Sequence, residues 1–117
     1  MKNNMKFSFG NSFNLKRNSA LVILLGAHHP DQKVLEALSQ TDNLSVREAF
    51  STRGVLQNLS GVHLVVLGDL LPISDVSEEV LHSALEKSGI PVVSQENFVI
   101  DPAEWLGRAR LTSAKQV

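Results

Sequence analysis

No cysteine occurs among the 117 residues, so a disulfide framework, thiolate metal ligation and cysteine catalysis are excluded, and the fold has to rest on burial. No apolar run reaches membrane-spanning length either: the run at residues 20–27 (ALVILLGA) is about eight residues, where a membrane helix needs roughly twenty. It follows a basic segment, as the core of a secretory signal would. It runs into His28, His29 and Pro30 rather than a small-residue cleavage site, so it reads as a core strand of a cytoplasmic protein with no membrane partner. Gly-rich phosphate loops, nucleophile motifs and HExxH-like spacing are also missing, and with them the patterns that announce most enzymes. The first nineteen residues lack acids altogether. They hold Lys2, Lys6, Lys16 and Arg17, while the rest of the chain carries seven bases against twelve acids, so a formal net charge of −1 hides a basic arm on an acidic body.

What is present, 43% hydrophobic and 20% charged residues, fits one globular domain with one core. Residues 20–25 (ALVILL) are apolar without alternation, the pattern of a strand covered on both faces and hence of a central strand in a parallel sheet. Pro30 suits a first helical position, with Val34, Leu35 and Leu38 at helical spacing up to about Gln40. After the polar turn of Thr41, Asp42 and Asn43, residues 45–50 (SVREAF) read as an outer strand. Ser51 or Thr52 then caps a short helix that turns Val55, Leu56 and Leu59 inward and stops at Gly61, with Gly54 as a weak point in it.

Residues 62–101 are the architectural centre. They contain a second apolar strand (62–67), a helix with Asp75 and Glu78 as a capping box and Val80, Leu81, Ala84 and Leu85 as its buried face, Gly89 as its stop, and a short edge strand at 90–93 (IPVV). Asp101, Pro102 and Glu104 open a last helix carrying Trp105, Leu106, Ala109 and Leu111, with Trp105 a core anchor. Apolar strands alternating with helices predict an α/β fold: a small three-layer domain with a four-stranded, mainly parallel sheet and helices on both faces. It spans residues 20–112, between a flexible basic arm (1–19) and a frayed tail (113–117).

Residues 63–66 (HLVV), 89–94 (GIPVVS), Phe98 and the helix around Trp105 resemble the second half of BRCT domains, over about half the chain. The resemblance implies four strands and a non-catalytic protein-interaction module in a replication, repair or regulatory assembly. Phosphopeptide-binding members of that family place Ser or Thr before the glycine closing the first strand and a Lys early in the helix after the third. Here Leu25 precedes Gly26, Ser77, Glu78 and Glu79 replace the lysine, and Asp42 and Asn43 replace the paired glycines before the second strand, which implies a module without the phosphate pocket. Residues 45–50, 55–59, 63–72 and 98–110 are in turn similar to pieces of response-regulator receiver domains. With Pro72 as that family's loop proline, Gly68 falls at the phosphoacceptor position and Asp69 one residue late, His28 and His29 replace the acidic pair, and Ile100 replaces the lysine. This second resemblance implies a degenerate signalling domain unable to accept phosphoryl in the usual way.

In open parallel sheets ligands bind beyond the C-terminal strand ends. That edge gathers Gly26, His28, His29 and Asp31, then Asp69, then Ser94 and Glu96; imidazole and carboxylate groups there would suit a small metal-dependent enzyme, the third functional reading. No cofactor is expected. His63 and His82 read as structural or solvent-facing. In the arm, Lys6, Phe7, Phe9, Lys16 and Arg17 are the partner-contact candidates: a protein partner foremost, then nucleic acid, and a homodimer as a further option.

Overall fold

The computed structural model describes residues 20–71 and 76–115. The whole basic arm, with Lys6, Phe7, Phe9, Lys16 and Arg17, lies outside the described residues, as do Pro72, the expected cap Asp75 and the last two residues. In chain order the elements are β1 (Leu21–Gly26), α1 (Gln32–Ser39), β2 (Leu44–Ala49), α2 (Thr52–Gln57), β3 (Leu64–Leu67), α3 (Glu78–Ser88), β4 (Val92–Ser94), α4 (Gln95–Ile100) and α5 (Pro102–Lys115). The sheet has the order β2-β1-β3-β4, and all its pairings are parallel. The expected α/β architecture is the one that forms.

β1 is apolar throughout because both its faces are covered. Leu21, Ile23 and Leu25 join Leu64, Val66 and Val93 beneath α1, α4 and α5, represented by Val34, Phe98 and Leu106. Leu24 and Val65 look the other way, toward Val55 of α2 and Leu81 and Leu85 of α3. Two apolar clusters, one on each side of the sheet, make the three layers. Among the described residues no helix is long and apolar enough to cross a membrane.

Five local expectations change. α2, expected to stop at Gly61, ends at Gln57 with Asn58 as its cap. α1 begins after Pro30, because Asp31 is its cap: the Asp31 carboxylate accepts from Lys33 N–H at 2.8 Å. α3 is capped by Ser77, whose hydroxyl accepts from Val80 N–H at 3.2 Å, and Glu78 and Glu79 occupy its first turn, where the helix dipole favours anions. Only Leu81 and Leu85 of its expected apolar face are buried, while Val80, about 100° around the helix from Leu81, is 53% exposed. α4 has no counterpart in the sequence reading. It forms because Ser94, the last residue of β4, also caps a helix, its hydroxyl accepting from Asn97 N–H at 3.2 Å, so strand passes into helix without a loop.

Other signals hold. Ser51 caps α2, Gly89 ends α3 at φ 72°, and Asp101 accepts from Glu104 N–H at 3.3 Å at the start of α5. Leu106 and Ala109 are buried, whereas Leu111 is exposed. Trp105 is half-buried against the core, with the Arg108 guanidinium 4.6 Å above its ring and paired to Glu104 at 2.8 Å. His63 is buried and structural: its Nδ1 accepts from Val22 N–H at 2.9 Å, while its backbone N–H donates to Val22 O at 2.8 Å.

Candidate functional site

The order β2-β1-β3-β4 puts the topological switch point between β1 and β3, where the outgoing connections depart to opposite faces of the sheet. In an α/β sheet this crevice is where a ligand meets loop amides. Here the protein's own groups fill it. Gly68 N–H donates to Gly26 O at 2.8 Å and His28 N–H to Asp69 O at 2.5 Å, and on the β2 side of β1 Ala27 N–H donates to Ala49 O at 2.9 Å, so the ladder continues past the strand ends. Further out, β1 has turned away into its loop, and the segments after β2 and β3 meet each other. Leu71 N–H donates to Phe50 O at 2.8 Å, and Ser51 and Leu71 form a parallel bridge.

The other side of the crevice is closed by Gln95. As the first residue of α4 it lies beside the end of β3, and its Oε1 accepts from Asp31 N–H at 2.7 Å, with Nε2 3.5 Å from His29 O. Gly68 makes room for this crossing: a Cβ there would collide with Gln95 Nε2 and stand 3.0 Å from the Ala27 Cβ. The bond satisfies the N–H of the α1 cap residue and pins the β1–α1 loop to the far side of β3. No pattern in the sequence marks Gln95, since its partner is 64 residues away and is met only once β4 lies beside β3.

The residues singled out from sequence take unequal places in this arrangement. Gly26 is a packing residue, for a Cβ on it would lie 2.8 Å from Val55 Cγ2 and 3.0 Å from Leu67 Cδ2. Asp31 and Ser94 are helix caps, with side-chain oxygens engaged by Lys33 and Asn97 amides. His28 and His29 are exposed, their rings 4.2 Å apart and tilted by 47°. Asp69 is exposed, and its carbonyl rather than its carboxylate meets His28. Two open clefts flank Asp69, one of about 350 Å³ shared with Glu78 and His82 and one of about 400 Å³ shared with Ser94, Gln95 and Glu96. Among the described residues no group of three or more His, Asp or Glu side chains converges to hold a metal ion.

Large apolar side chains stand exposed elsewhere. Phe50 is 50% and Leu71 40% exposed, side by side through their backbone bond, and Leu35 of α1 and Val46 of the edge strand β2 are exposed too. No family model, curated protein or solved structure matches this chain.

Proposed function

We propose that this domain is a non-catalytic protein-recognition module, BRCT-like in organisation, that works within a replication, repair or regulatory assembly. The observation that carries the reading is Gln95. The amide-lined crevice in which this architecture ordinarily takes a ligand is held shut by a side chain that bonds to Asp31 N–H, so a ligand entering there would first have to displace it. What the surface offers instead is exposed apolar area, with Phe50 and Leu71 adjoining each other beyond the strand ends.

Cross-linking of the full chain in cells that make it, followed by mass spectrometry, tests this. Cross-links that disappear in Phe50→Asp and persist in a His28→Ala, His29→Ala double variant support recognition through the apolar surface. The reverse pattern, together with saturable binding of a divalent metal at the two histidines, would replace it with the enzyme reading.

Asp69 supports a second reading, the degenerate receiver. It stands exposed at the end of β3 where the two clefts meet, one residue from the position at which a receiver accepts phosphoryl. Beryllofluoride titration separates the two: unmoved amide signals at Gly68, Asp69 and Leu70 accord with recognition, and a saturable shift there favours the receiver.

A further inference from the structure

β2 lies at one edge of the sheet, and its hydrogen-bond phase is set by two bonds near its ends. Leu21 N–H donates to Asn43 O at 3.0 Å and Ala27 N–H to Ala49 O at 2.9 Å. In a parallel ladder alternate residues turn to the same side, so Ser45, Arg47 and Ala49 bond toward β1, and the N–H and C=O groups of Leu44, Val46 and Glu48 point away from the sheet. Among the described residues no segment covers this side, and the six-residue strand presents an alternating row of donors and acceptors there.

Proteins ordinarily blunt such an edge by shortness, proline or projecting charge. The opposite edge, β4, uses the first two: it has three residues, follows Pro91 and runs straight into α4. β2 has no proline and twice the length, and of its two charged residues Glu48 is exposed, on the same face as Val46. Its arginine is folded back, Arg47 donating to Asn58 O at 2.9 Å and Ser60 O at 2.6 Å, so the guanidinium lies over the end of α2 rather than out beyond the strand. Near the edge, Val46 is 41% and Leu35 37% exposed. Leu35 follows the buried Val34 by about 100° of helical rotation, and a right-handed β1–α1–β2 connection places that flank of α1 on the β2 side.

We infer that this edge pairs with β2 of a second copy of the chain, antiparallel about a two-fold axis at Val46, which joins two four-stranded sheets into one. The register follows from the strand itself. A two-fold axis perpendicular to the sheet keeps each face continuous, so opposed residues must share the parity of their positions. Centred on Val46, the pairing uses all the outward groups, Val46 meeting Val46 and Leu44 meeting Glu48, and it sets Ser45 against Arg47. Centred on Arg47 it would pair only Val46 with Glu48 and leave the outward groups of Leu44 opposite Phe50, past the end of the strand. The two exposed Val46 side chains cover each other at the axis, each with a Leu35 alongside. This inference goes beyond the recognition reading and stands apart from it, since it requires nothing of Gln95 or the crevice.

Sedimentation equilibrium on the full chain should give the mass of two chains. Val46→Lys places two ammonium groups at the axis, and Val46→Pro puts a ring where the N–H plays no part in the β1 ladder; each lowers the association constant at least about tenfold while the circular dichroism spectrum is retained. Hydrogen exchange supplies a signature that non-specific association lacks. The amides of Leu44, Val46 and Glu48 slow as concentration rises, and those of Ser45, Arg47 and Ala49 are slow throughout. A chain that stays monomeric over about two decades of concentration overturns the inference, and so does a dimer that survives both Val46 variants. Slow exchange of the even-numbered amides in dilute monomer also overturns it, because another segment of the same chain would then cover the edge.

Discussion

The C-terminal end of the sheet and the outer edge of β2 are both places where a parallel ladder runs out of strand partners, and the chain treats them in opposite ways. At the C-terminal end every stage is answered from within: Gly68 N–H by Gly26 O, His28 N–H by Asp69 O, Leu71 N–H by Phe50 O and Asp31 N–H by Gln95. At the other end of β1, His63 serves as Gln95 does, a side chain accepting from Val22 N–H where β3 has not yet begun. Along β2 no described side chain takes up the outward groups: Arg47 is turned onto the α2 side, and the charge left at the edge is the exposed Glu48. The difference teaches that closure of the ends is a constructed property of this domain, so an edge left open beside exposed Val46 and Leu35 is the better place to look for a partner.

The comparison is tested most severely where the closed end is packed most tightly. Gly26→Ala sets a methyl 2.8 Å from Val55 Cγ2, on a β-branched residue buried in α2 that has no free rotamer to retreat into. A loss of about 3 kcal/mol, the upper part of the usual overpacking range, is expected in urea unfolding, and a near-neutral result would mean that the strand end is loose. His63→Leu comes next. It keeps the apolar volume but leaves Val22 N–H without an acceptor in a buried strand, and should cost about 2 kcal/mol by the same measurement. His63→Asn, which retains an acceptor, should recover part of that loss.

Gln95→Ala removes one hydrogen bond at a half-buried site, so about 1 kcal/mol is expected, with faster exchange of the Asp31 amide. A double-mutant cycle sharpens this. Gly68→Ala expels the end of the same flexible side chain, so the pair should cost clearly less than the sum of the two singles. Additive effects would show that the Gln95 amide does not occupy the space over Gly68 and that the crevice is open, which would remove the main support for the recognition reading.

How legible each region was from sequence follows from the range of its causes. The apolar strands, the Ser51 and Asp101 caps and the Gly89 stop are local, each decided by a few neighbouring residues; the caps and the stop appear where the pattern puts them, while β3 and β4 each begin two residues later than expected. α3 shows the limit of that: Asp75, Ser77 and Glu78 are all suitable residues for a helix start, and the choice of Ser77 goes with Thr52 of α2 donating to Val76 O at 3.2 Å. α4 was hidden because Ser94 is at once strand residue and cap, which periodicity over separate windows does not reveal. The site was least legible. His28, His29 and Asp69 drew notice by residue type, yet the side chain that decides what the crevice can do is Gln95, an ordinary amide whose role exists only after three strands are in place.

The smallest expected effect bears on the open edge itself. In dilute solution, where only single chains are present, Val46→Lys should change unfolding free energy by no more than about 0.5 kcal/mol, as is usual for a surface position with no special contact. Val46 sits on the same face of β2 as Leu44, which packs against the core, but it is 41% exposed, and a lysine stem can lie along the strand with its ammonium in water. A loss near 2 kcal/mol in the monomer would place Val46 in the fold's own core instead. The edge of β2 would then be as internally satisfied as the C-terminal end, and association lost in that variant would report unfolding, leaving the exchange rates of Leu44, Val46 and Glu48 to decide whether a second strand is ever present.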